Sequence, residues 1–147
     1  MLISFVPVNH FDMKKIEHLG IAVKNLEDSN ALFEKLLGEG PYKEEEVASE
    51  GVRTSFFKTG PNKIELLESL NEDGPIAKFL ANKGEGIHHI AFEVEDIIVE
   101  MERLKKEGFQ VLGDAPRKGA DNKWVVFVHP KSTNGVLIEL CQEIKQG

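Results

Sequence analysis

The 147-residue chain is 41% hydrophobic and 29% charged, a globular profile with enough length for one proper core. Its net charge of -7 argues against a nucleic-acid partner, because phosphate binding needs a basic surface, and leaves any anionic ligand to be met by a local cation or a metal. Cys141 is the single cysteine, so an internal disulfide is excluded and a reducing, cytoplasmic setting fits; no apolar run approaches a membrane span.

Residues 1–14 read as a leader extension, with a possible added strand at 3–8 and Met13 as an alternative start. Residues 1–12 lack the charged start and small-residue cleavage site of a signal peptide. A single domain then spans 15–143, followed by a tail at 144–147. It opens on His18-Leu19-Gly20-Ile21-Ala22-Val23, whose apolar residues fall at every second position, the period of a half-buried strand. Leu19, Ile21 and Val23 share one face. His18 points the other way, beside Gly20, where a small residue leaves open space.

A helix is expected over 27–37, capped by Asn25 and stopped by Gly38, with Leu32, Phe33, Leu36 and Leu37 as its apolar stripe. Strand-like runs follow at 42–47, 52–58 and 63–67, separated by Glu50-Gly51 and Gly60-Pro61-Asn62. Glu44, Glu45 and Glu46 read as an exposed acidic strand. A linker over 71–86 holds a short helix at 75–81, with Pro75 in its first turn.

The chain then repeats itself. His89-Ile90-Ala91-Phe92-Glu93-Val94 matches the opening strand position by position, and a second helix runs over 96–107, with Ile97, Ile98, Met101 and Leu104 inward and Gly108 as the stop. Strands at 109–112, 124–129 and 136–141 complete the second module, with a turn at Gly113-Asp114-Ala115-Pro116. Trp124 and Phe127 read as sheet core. The fold class is α+β: tandem βαβββ modules, about 15–70 and 87–143, forming an open, cupped eight-stranded sheet.

The last strand of each module carries a carboxylate between apolar neighbours, Ile64-Glu65-Leu66 and Ile138-Glu139-Leu140. The separation from His18 to Glu65 nearly equals that from His89 to Glu139. A lone histidine or glutamate on a strand is ordinarily packed or solvated. The same two ligand types at the same two module positions instead point to one divalent cation held by His18, Glu65, His89 and Glu139. Nitrogen and oxygen donors suit Co, Zn, Ni, Mn or Fe(II). Strict alternation sends His88 to the helix side, as a structural neighbour of His89.

These residues resemble the vicinal-oxygen-chelate (glyoxalase/bleomycin-resistance) superfamily over about 15–143. Gly86-Ile87-His88-His89-Ile90-Ala91, and the closing run from His129-Pro130-Lys131 through Gly135-Val136-Leu137-Ile138-Glu139-Leu140, are similar to its epimerases of methylmalonyl-CoA. That resemblance implies metal ligation by the same four residues. It also implies inversion at the α-carbon of an acyl-CoA substrate, by proton abstraction through a metal-stabilised enediolate. Glu139, a ligand able to swing off the metal, is one acid/base candidate. Glu50 is the candidate for the opposite face, although the family glutamate matches Ser49, one residue earlier. Lys123, Lys131, Arg117 and Lys118 are possible coenzyme A contacts. A homodimer is implied as well. Glyoxalase I shares the ligand types but usually closes with Asp-Pro-Asp-Gly, where this chain has His129-Pro130-Lys131. A non-catalytic small-molecule-binding protein of the superfamily is the other alternative.

Overall fold

The computed structural model describes residues 13–145. The strand expected at 3–8 and the last two tail residues lie outside the described residues. The first module comprises β1 (Met13–Ala22), α1 (Leu26–Leu37), β2 (Lys43–Val47), β3 (Val52–Thr59) and β4 (Asn62–Ser69). Helix α2 (Pro75–Lys83) links it to β5 (Gly86–Val94), α3 (Ile97–Lys106), β6 (Val111–Lys118), β7 (Lys123–Val128) and β8 (Ile138–Glu143).

Local chemistry sets these boundaries. The Asp28 N–H donates to the Asn25 side chain at the start of α1, and Gly38, at φ 86°, ends it in the left-handed region. The Asp96 carboxylate accepts from the Ile98 and Val99 N–H groups to start α3. Strand β1 runs from Met13 and so includes the last two residues assigned to the leader.

The strands form one sheet in the order β2-β3-β4-β1-β5-β8-β7-β6, curled into a half-barrel. Strands β1 and β5 meet antiparallel at its centre, and each pairs in parallel with the last strand of its own module, β4 or β8. Helix α3 packs Ile97, Met101 and Leu104 on Val94, Val126 and Leu140; α1 packs Leu26 near Val23, Phe57 and Leu66. Each such buried side chain contributes roughly 1.5–3 kcal/mol. Helix α2 sits on the other side of the sheet, its Ile76 packed with Ala22, Val47, Val52 and Leu67.

Four expectations are corrected. Residues 113–116 are not a turn: β6 runs through them with an irregular register between Leu112 and Arg117. As β6 is the outermost strand, Pro116 can sit there without breaking an interior ladder. The α1 stripe is only partly inward, since Phe33 packs but Leu32 and Leu36 are exposed. On α3, Ile98 is exposed. Trp124 is also exposed rather than core.

Candidate metal centre

Sheet register assembles the site. Across the sheet, Phe56 on β3 stands opposite Glu65 on β4, Glu65 opposite Gly20 on β1, and Gly20 opposite His89 on β5. The second row runs Phe127, Glu139, Ala91, His18, in the same order of residue types. Neighbouring strands lie about 4.8 Å apart, so each histidine reaches inward over the small residue of the other module. The space expected above Gly20 is filled by the His89 ring: a Cβ there would lie 2.1 Å from its Cε1.

The four expected ligands converge. His18 Nε2 and His89 Nε2 are 3.1 Å apart. Glu65 Oε1 lies 3.2 Å from the first and 3.5 Å from the second; Glu139 Oε1 lies 3.8 Å and 3.2 Å away. All four side chains are buried. Among the described residues, His18, His89 and Glu139 offer donor atoms that all lie within 4.8 Å of one another and could hold a metal ion. Burial disfavours charge on both imidazoles, but the carboxylates outweigh it and raise their pKa values. Burial likewise disfavours the Glu65 carboxylate, and its two histidine neighbours reverse that, holding its pKa low. The Thr54 hydroxyl donates to Glu65 Oε2 at 2.7 Å, which orients the carboxylate.

Strict alternation fails just before each histidine. The β1–β5 register slips between Ile16 and His18 on one strand, and between His89 and Ile87 on the other. Glu17 and His88 are the extra residues. Glu17 is buried and accepts from His18 Nδ1 at 2.5 Å; sequence reasoning missed it. His88 lies on the cavity side, not the opposite one, with its Nδ1 2.9 Å from His89 Nδ1 and its ring edge-on to Phe79. Burial and the neighbouring His89 lower its pKa to about 4, so it stays neutral and can accept the His89 Nδ1–H.

A cavity of about 270 Å³ opens over the four candidate ligands. Glu50 and Arg117 line it together, the guanidinium donating to both carboxylate oxygens at 2.8 and 3.2 Å. Lys123, one of the candidate coenzyme A contacts, also lines it and is buried.

Residues 17–127 match the family model of the glyoxalase/bleomycin resistance protein/dioxygenase superfamily. The chain belongs to this superfamily. An ethylmalonyl-CoA/methylmalonyl-CoA epimerase of Cereibacter sphaeroides is 44% identical over 130 residues, 87% of this chain and 97% of that one. The human mitochondrial methylmalonyl-CoA epimerase is 38% identical, over 90% of this chain and 76% of its own length. A Streptomyces coelicolor methylmalonyl-CoA epimerase, solved with 2-nitronate-propionyl-CoA, superposes with a TM-score of 0.87 at 33% identity, covering 90% of this chain and 99% of that one.

A divalent cation fits the donor set. Both Nδ1 atoms have partners of their own, and both Nε2 atoms face one point, 3.1 Å from each other. Without a shared cation or proton that arrangement is repulsive. Two carboxylate oxygens face the same point and supply the balancing charge.

Proposed function

We propose that the chain is a metal-dependent epimerase of methylmalonyl-CoA, an isomerase that inverts the α-carbon of an acyl-CoA thioester. The observation that carries this reading is the meeting of His18, Glu65, His89 and Glu139 beneath a cavity that also holds Glu50. The Cereibacter sphaeroides and human epimerases of that substrate are 44% and 38% identical to it. The cation, one of Co, Zn, Ni or Mn, would be held by those four side chains. When bound it supplies Lewis-acid polarisation of the thioester carbonyl and the neighbouring carboxylate.

The protein groups supply the proton chemistry. Glu139, whose Oε1 lies 3.2 Å from His89 Nε2, takes the α-proton on one face. Glu50 serves the opposite face, from the turn before β3, once its pairing with Arg117 loosens. Phe56 and Phe127, edge-on to His18 and His89, keep water from the histidine side. A cytoplasmic homodimer completes the proposal; β2 and β6 end the sheet and are where a second copy would pair.

The test is α-carbon exchange of methylmalonyl-CoA in deuterated solvent, with and without chelator, beside a glutathione hemithioacetal assay. Chelator-sensitive exchange with the first substrate and silence with the second is the expected result. Turnover of the hemithioacetal alone would instead make the chain a glyoxalase I.

A further inference from the structure

Both nitrogens of His18 are engaged, one toward the ligand point and one toward Glu17. Glu17 is 1% exposed, and each of its oxygens has a partner. Oε2 accepts from His18 Nδ1; Oε1 accepts from Lys63 Nζ at 2.5 Å and lies 3.8 Å from Lys123 Nζ. Lys63 comes from β4 and Lys123 from β7, so one lysine of each module steadies the carboxylate. Lys63 is fixed in turn by Asp121, at 3.2 Å. At the matching bulge of the second module an imidazole, that of His88, faces His89 Nδ1 in place of a carboxylate.

We propose that Glu17 is the positioning residue of the cation site: it holds His18 with Nδ1–H outward and the Nε2 lone pair on the ligand point, so that His18 is the stronger and His89 the weaker of the two imidazole donors. This rests on the cation site proposed above. An imidazole that donates to a carboxylate gains basicity at its other nitrogen, whereas one that donates to a neutral imidazole gains little. The repeat therefore places like ligands around one point but gives them unlike support. Glu17 lines the cavity, but both its oxygens are taken up by His18 and the two lysines, so its effect on the ligand point passes through His18.

The competing view is that Glu17, Lys63 and Lys123 only tie the modules together. Zinc affinity separates the two. It is measured by competition with a chromophoric chelator in the parent, Glu17→Gln, His88→Asn and the double variant Glu17→Gln/Lys63→Met, with thermal unfolding of each metal-free protein alongside. Glu17→Gln should weaken zinc binding by roughly 10–100-fold, the usual effect of losing such a partner. His88→Asn should weaken it less. In the zinc-loaded parent the His18 Nδ1 proton should resonate far downfield, and that signal should move upfield in Glu17→Gln. Should the single variant unfold because Lys63 loses its buried carboxylate partner, the double variant removes that cation and must show the same loss of zinc affinity. A folded Glu17 variant that binds zinc within twofold of the parent, or a larger loss in His88→Asn, would overturn the proposal. A parent that binds no zinc would overturn the cation site itself, and this role with it, before any variant is compared.

Discussion

Gly20 illustrates how closely the site depends on single side chains. Its position across from His89 leaves no room for a Cβ, with three ring atoms within 2.6 Å of where one would stand. Gly20→Ala should therefore push His89 off the ligand point. The expected result is at least a tenfold drop in cobalt affinity, read by the cobalt absorption spectrum, with an overpacking cost of about 1–3 kcal/mol in stability. His89→Ala should remove bound metal and activity together, whereas His88→Ala should keep most of the metal; metal analysis after dialysis checks both. At this scale the convergence of the four candidate ligands was legible because each type recurs at the matching place in both modules. Glu17 and the true direction of His88 were not legible, because strict alternation assigns them to the wrong face and only a register slip reverses it. The usable signal was an ionisable residue standing just before the repeated histidine in both copies, Glu17 and His88.

Helices and strands follow local rules where those rules are strong. Asn25, Gly38, Asp96 and Gly108 mark helix ends that agree with the expected ones to within a residue or so. Asp96→Ala should cost about 1 kcal/mol, since two N–H groups lose their acceptor; urea unfolding of the variant measures it. The β6 strand was misread for a physical reason. Gly113 and Pro116 are turn formers in isolation, yet an edge strand tolerates both once a bulge absorbs the irregularity. The α1 stripe was misread because a helix on the outside of a sheet buries a narrower face than its apolar residues suggest. Leu26 and Phe33 meet the sheet, and Leu32 and Leu36 do not.

Across the whole molecule, the duplication turns two weak half-sites into one four-donor centre, because β1 and β5 meet antiparallel and each row crosses into the other module. The same charges set the pH response of the metal-free protein. Burial alone would raise the Glu17 pKa, but His18 and Lys63 lower it from 4.5 to about 2. A depressed carboxylate pKa stabilises the fold above 4.5, and that contribution is lost as pH falls from 4.5 toward 2. His18 has the opposite sign: its raised pKa stabilises below 6.5 and is lost as pH rises through the folded value. Zinc binding needs neutral imidazoles, so the gain in Tm on adding zinc should grow as pH rises from acid toward neutral. Scanning calorimetry with zinc and with chelator across that range would show it, and a gain independent of pH would contradict it.

The most direct measurement is the anomalous scattering of a cobalt-soaked crystal. One peak should appear at about 2.0–2.2 Å from His18 Nε2, His89 Nε2 and an oxygen of each of Glu65 and Glu139. A peak elsewhere, or these four side chains pointing apart with cobalt absent between them, would contradict the account.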